Sequence, residues 1–160
     1  MFIRTASRRD LPAIRDLLVE TWHATYDAIY GPERVSEITD EWHSVKALGE
    51  RLELPNGEFL VADDGKAIHG VAFAAAEREG KVVLLRQLYV RPASQGKGIG
   101  GMLLQEIEGS FFDADTIRVE VAAANAQAIG FYRAEGFVEA GQASSPDPLI
   151  SILSFEKPLL

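Results

Sequence analysis

An apolar run, a glycine-dense turn and the start of an amphipathic helix follow one another without interruption in Leu84–Leu104, LLRQLYVRPASQGKGIGGMLL. Few chain paths satisfy this stretch. A strand must end, the backbone must turn through residues free to take positive φ, and a helix must begin with its first N–H groups open. Those N–H groups and the positive end of the helix dipole converge on one place, which suits an anion and most simply a phosphate. Gly96, Gly98 and Gly101 also spell G-x-G-x-x-G, the dinucleotide-binding fingerprint, which says little when it stands alone. A nucleotide-triphosphate P-loop needs GxxxxGK(S/T), and here Lys97 is followed by Gly98.

The surroundings of the turn narrow the choice. Phe2–Thr5 reads as a strand, with Ser7 and Asp10 as caps before a first amphipathic helix whose Leu11, Ile14, Leu17, Leu18, Trp22 and Tyr26 recur at helical spacing. Gly31-Pro32 breaks the chain, and Val35, Ile38, Trp42, Val45 and Leu48 mark a second helix ending around Gly49–Asn56. From Phe59 to Val90 three apolar runs are separated by Asp-Asp-Gly-Lys and Arg-Glu-Gly-Lys, which are hairpin turns by composition. After the glycine turn come a helix through about Phe112, a strand at Thr116–Val121 and a helix from Asn125 to Glu135. Strands near Phe137–Ala140 and at Leu149–Glu156 follow, with Gly141–Pro148 as an irregular loop. A dinucleotide fold would place its glycines after the first strand and continue with parallel strands. Three hairpin-linked strands precede the turn here, although Glu120 does lie about twenty residues downstream, where an acidic ribose ligand belongs.

With 160 residues, 47% of them hydrophobic, the chain suits one domain over 1–160. A formal charge of −8, from 16 basic and 24 acidic residues, argues against sequence-independent nucleic-acid binding and favours a cationic substrate. The absence of cysteine removes disulfides, thiolate nucleophiles and cysteine-bound metals, and leads to the expectation of a cytoplasmic enzyme. The charged N-terminus, with Arg4, Arg8, Arg9 and Asp10, reads as neither a signal peptide nor a membrane span. His23, His43 and His69 are widely spaced, so they read as surface or core residues and no metal site is expected.

Gln95–Gly100, QGKGIG, resembles the (Arg/Gln)-x-x-Gly-x-(Gly/Ala) turn of GNAT-type N-acetyltransferases, with Leu88-Tyr89-Val90 standing where that family's coenzyme-binding strand ends. Val119–Phe137, VEVAAANAQAIGFYRAEGF, resembles the same family's later strand-helix-strand element, with Asn125, Ala128, Tyr132 and Gly136-Phe137 at its spacing. The resemblance is close from Phe59 onward and general over Met1–Asn56. It implies a single α/β (α+β) domain: a mostly antiparallel mixed sheet of about seven strands, flanked by about four helices and splayed at the coenzyme-binding strand. It also implies acetyl transfer from acetyl-CoA to an amine.

That reaction has four requirements, each with candidate residues. The resemblance assigns the pyrophosphate to the backbone of Gln95, Gly96, Lys97, Gly98, Ile99, Gly100 and Gly101, where missing Cβ atoms allow close approach. It assigns the pantetheine arm to the exposed backbone of Leu88, Tyr89 and Val90, as an added strand, and an N–H near Val90 to the acetyl carbonyl. An ammonium of pKa near about 10.4 must lose a proton before it attacks. In Ile117–Val121 the apolar residues share one face, so Arg118 and Glu120 point to the other, and Glu120 is the candidate base. A carboxylate paired with Arg118 or Arg86 is an equal alternative for it, and Glu77 and Glu41 are further candidates. Tyr132 occupies the family's position for the acid that protonates the departing thiolate, and Asn125 caps its helix and binds the coenzyme arm.

The amine acceptor is expected between the two N-terminal helices and the Gly141–Pro148 loop. Trp22, Tyr26, Tyr30, Glu37, Asp40, Glu41 and Trp42 offer aromatic and acidic groups there for a cationic amine. A homodimer is a further expectation. A catalytically silent acyl-CoA-binding module and, behind it, a dinucleotide-binding enzyme are the rival readings.

Overall fold

Small and branched apolar residues between Phe59 and Val90 build the middle of a seven-stranded sheet in a computed structural model that describes residues 1–145 and 150–159. Its strands are β1 (Phe2–Thr5), β2 (Gly57–Asp63), β3 (Ile68–Glu77), β4 (Val82–Val90), β5 (Thr116–Ala122), β6 (Val138–Ala143) and β7 (Ile152–Pro158), in the order β1-β2-β3-β4-β5-β7-β6. Every neighbouring pair is antiparallel except β4 and β5. Alternation along the strands divides the core in two. Leu60, Ala62, Ala72, Ala74, Val83, Leu85, Ile117 and Val119 face α4 (Ile99–Gly109) and α5 (Ala126–Ala134). Phe59, Val61, Val71, Phe73 and Ala75 face α1 (Leu11–Tyr30) and α3 (Val45–Leu52). Fully buried side chains such as Leu17, Leu18, Leu103 and Leu104 each stabilise the fold by roughly 1.5–3 kcal/mol.

The N-terminal entry is held by charge as well as burial. Arg4 on β1 donates through both Nη atoms to the Asp10 carboxylate, which also accepts from the Ser7 N–H in a capping box. The Arg4 guanidinium and the Ser7 donors hold the Asp10 carboxyl well below the usual carboxylate range.

Several boundaries differ from expectation, among them β6, which continues through Gly141 to Ala143 in the segment expected as an irregular loop. The second helix is two helices, α2 (Pro32–Trp42) and α3, so there are five rather than about four. Ser44 takes extended backbone and accepts the Ala47 N–H at 3.1 Å, starting α3 afresh, while Arg15 Nη1 donates to the His43 carbonyl at 3.0 Å. The turn rotates Trp42 and Val45 outward to 42% and 44% exposure, off the apolar stripe that a continuous helix requires. The helix after the glycine turn ends at Gly109, leaving Phe112 at 91% exposure. The last strand begins at Ile152, and Pro146–Leu149 of the expected loop and strand lies outside the described residues.

The sheet parts between β4 and β5. β4 pairs with β5 only from Val82↔Thr116 to Leu85↔Val119. A bulge at Arg86 then shifts the β3–β4 register, and β4 runs on to Val90 beside β3 alone. Arg91 N–H donates to the His69 carbonyl at 2.8 Å, which places the polar backbone of Arg91, Tyr89 and Gln87 toward β3. By alternation, the N–H and C=O groups of Leu88 and Val90 turn into the gap left by β5. No helix among the described residues is long and apolar enough to cross a membrane.

Candidate active site

A cleft of about 340 Å³ opens in the wedge between β4 and β5. One wall is the β4 end, Leu88–Val90; another is the turn and first residues of α4; the third is α5 with Asn125 and Tyr132. Gly96 and Gly98 have φ of +78° and +83°, and no atom lies within 4 Å of where their Cβ would stand. The first intrahelical bond runs from Met102 N–H to the Gly98 carbonyl at 3.1 Å, so the N–H groups of Ile99, Gly100 and Gly101 have no partner within α4. Gly100 serves packing: its Cβ would meet the Phe131 ring at 3.3 Å.

The expected coenzyme residues converge on this cleft with one exception. Leu88, Tyr89, Val90, Gln95, Gly96, Gly98, Ile99, Gly100, Gly101, Asn125 and Tyr132 all line it, whereas Lys97 is exposed on the outer side of the turn. Thr21 and Thr25 of α1, Ser94, Gln127, Phe131 and Glu135 also line it, unanticipated because only the tertiary fold brings them together. The turn is braced from below. Ser94 Oγ lies 2.7 Å from His69 Nδ1, whose Nε2 lies 2.7 Å from Asp64, and Gln95 Nε2 donates to the Val90 carbonyl at 3.0 Å.

Tyr132 is buried against Phe131 and Phe137 in edge-on contacts. Burial, then the neighbouring Tyr26, pushes its phenol well above the ordinary tyrosine value, so at neutral pH it keeps its proton and can donate. Asn125 Oδ1 accepts the Ala128 N–H at 3.1 Å as the cap of α5, and its Nδ2 donates to the Tyr26 hydroxyl at 3.1 Å.

A second cleft, of about 380 Å³, lies across β4 and is lined by Trp22, Trp42, His43, Arg51, Leu84–Gln87, Tyr89 and Glu120. Tyr89 lines both. Glu120 faces this second cleft rather than the glycine turn, a placement inconsistent with a ribose ligand beside the phosphate site. Arg118 pairs with Glu156 at 2.6 Å and Arg86 with Glu77 at 3.5 Å, so neither of the cations proposed as partners for Glu120 is bonded to it. Glu77 is engaged by that pair, and Glu41 is exposed outside both clefts.

The acidic acceptor pocket is not assembled. Glu37 pairs with Arg34 and Asp40 with Arg15, and among the expected acceptor residues only Trp22 and Trp42 line the second cleft. Tyr26 and Tyr30 stack on each other at 5.2 Å. The cleft instead holds Arg51, whose Nη2 donates to the Trp42 carbonyl at 2.7 Å while Nη1 is buried without a partner. His43 Nδ1 and Gln87 Oε1 are likewise buried and unpaired, each at a cost of about 1–3 kcal/mol. Burial, and then the charges of Arg51 and Arg15, lower the His43 pKa to about 3, which keeps the ring neutral.

Residues 11–137 match the model of the Acetyltransferase (GNAT) family. An "IAA acetyltransferase" of Azospirillum brasilense is 32% identical over 114 residues, spanning 69% of this chain and 73% of the relative. "Peptidyl-lysine N-acetyltransferase YiaC" of Escherichia coli (strain K12) is 31% identical over 139 residues, spanning 84% and 82%. Among solved structures, the PaiA N-acetyltransferase of Thermoplasma acidophilum in complex with coenzyme A superposes with a TM-score of 0.83 at 25% identity, over 96% of each chain.

Proposed function

The chain belongs to the acetyltransferase (GNAT) family, and on that premise we propose that it moves an acetyl group from acetyl-CoA to a primary amine by direct attack. Acetyl-CoA is the family's co-substrate, and the β4–β5 wedge fits it. Open N–H groups and positive-φ glycines stand at one end, a free strand edge in the middle and a protonated phenol inside. The co-substrate supplies an activated acetyl thioester. The backbone of Gln95–Gly101 holds its pyrophosphate, and the outward N–H and C=O groups of Leu88 align its arm, the Val90 carbonyl being engaged by the Gln95 side chain.

In this reading the Val90 N–H polarises the acetyl carbonyl and Tyr132 protonates the departing sulfur. Glu120, across β4 and without an ion-pair partner among the described residues, draws the proton from the attacking amine, directly or through water. Tyr89, shared by the two clefts, marks where amine and thioester meet.

The observation that carries the reading is the early parting of β4 from β5, with Tyr132 and the glycine turn opening on the same gap. Its test is a thiol-release assay with acetyl-CoA across polyamines, peptide N-termini, lysine peptides and aminoglycosides. Release with an amine supports it, and coenzyme binding without release from any amine tested contradicts it.

A further inference from the structure

The second cleft contains groups that the acetyl transfer proposed above does not use. Arg51 is a cation whose Nη1 is buried without a hydrogen bond, and among the described residues no carboxylate lies within ion-pairing distance of it. Arg86 lines the same cleft, loosely paired at 3.5 Å with Glu77. His43 and Gln87, 2% and 6% exposed, also line it, and His43 Nδ1 and Gln87 Oε1 are buried behind its surface without a partner. Native proteins rarely leave several such groups together unsatisfied, and a cavity that brings two guanidinium side chains to one wall suits a polar, anionic group. The remaining walls are Trp22, Trp42 and Tyr89, with Glu120 the single carboxylate in the cleft.

From this juxtaposition we propose that the acceptor is a small amino acid bound as its zwitterion, its carboxylate on the Arg51 and Arg86 side, its ammonium toward Glu120 and an aromatic or large apolar body between Trp22, Trp42 and Tyr89. A guanidinium fork suits a carboxylate better than any neutral group, and the aromatic walls suit an apolar body. The volume of about 380 Å³ accommodates a molecule the size of one amino acid. The assignment rests on the acetyltransferase reading and narrows its acceptor. The amine nitrogen bonds to the acetyl carbon as the carbon–sulfur bond breaks. Of the two protons that the ammonium gives up, one leaves through Glu120 to solvent, and the other balances the one that Tyr132 hands to sulfur.

The chain's only two tryptophans both line this cleft, so their fluorescence reports its occupancy without any turnover. Phenylalanine, phenylalaninamide, phenethylamine, spermidine and a lysine peptide are titrated into the coenzyme-bound protein and, separately, assayed for thiol release from acetyl-CoA. The expected result is saturable quenching by phenylalanine at a concentration at least about tenfold below that for its amide, the size of one charge-assisted hydrogen bond, with the same order in kcat/KM. In Arg51→Gln and in Arg86→Gln the acid-to-amide ratio falls toward one. The second variant removes an exposed side chain and leaves the Arg51–Trp42 contact in place. Equal or better binding and turnover of the amide, the polyamine or the lysine peptide overturns the proposal while leaving acetyl transfer standing. Selective quenching by the acid with no thiol release from any amine upholds the carboxylate site and removes the acetyltransferase reading instead.

Discussion

The two clefts that meet at Tyr89 are built on opposite plans. The wedge between β4 and β5 presents backbone along two of its walls: a strand edge without a strand partner, two positive-φ glycines and a helix N-terminus. The cleft across β4 is lined by residues drawn from α1, α2, α3 and the turn between them, β4 and β5. The contrast shows how one fold can keep a co-substrate and change an acceptor. Main-chain recognition survives wholesale replacement of side chains, whereas a cleft of side chains is remade by a few substitutions in separate elements.

The comparison is most exposed at Tyr132, which lines the backbone-built cleft yet is assigned a chemical task. Tyr132→Phe should lower kcat by about 100-fold or more, in the range of general-acid catalysis, while thermal stabilisation by coenzyme A stays near wild type. Unchanged turnover would remove the assignment. Glu120→Gln should cost about 10- to 100-fold in kcat/KM for the amine and leave coenzyme affinity alone, because Glu120 lines only the second cleft. If coenzyme affinity falls with it, the two clefts are not separable.

Gly98→Val probes the other side. A β-branched residue at φ +83° is strained by about 1–2 kcal/mol, so coenzyme affinity should fall by about tenfold with little change in the KM for the amine, as calorimetry and initial rates would read. An equal rise in both constants would count against division of labour. The smallest effect belongs to His43. Its folded pKa, about 3, lies below the unfolded value of about 6.5, so between these pH values the unfolded chain binds more protons and stability decreases as the pH is lowered. At about pH 5.5 this amounts to about 1.3 kcal/mol relative to neutrality. Urea midpoints should show that extra loss in the wild type and not in His43→Gln; identical pH slopes would mean that the ring is not held neutral.

The same difference in construction decides what can be read from the chain. Turn glycines, the Asn125 cap and Tyr132 each lie within one short stretch, where spacing along the sequence is nearly spacing in the structure. The sheet was legible for a related reason, since period-two apolar runs joined by turn residues determine both strands and faces. Arg51 carries no such mark. In sequence it is one more charge on a short amphipathic helix, and only the break at Ser44 and the packing of α3 place it against Trp42 and in the same cleft as Glu120. The charge of −8 pointed to a cationic acceptor because it averages over the surface, while Glu37 and Asp40 pair locally with Arg34 and Arg15. Lys97 lies within the glycine motif, where its backbone belongs to the turn, while its exposed side chain is not among the groups that line the cleft.

Paired as strands only between Val82↔Thr116 and Leu85↔Val119, the β1–β4 and β5–β7 halves of the sheet share a short ladder, and beyond it the edge of β4 stands open. An extended molecule lying along Leu88 and Val90 would act as a clamp across the opening. Amide hydrogens of those two residues should then exchange quickly in the free protein and slowly once the clamp is in place. The two halves should also unfold as a tighter cooperative unit, so that occupancy of the gap governs how far the protein behaves as a single body.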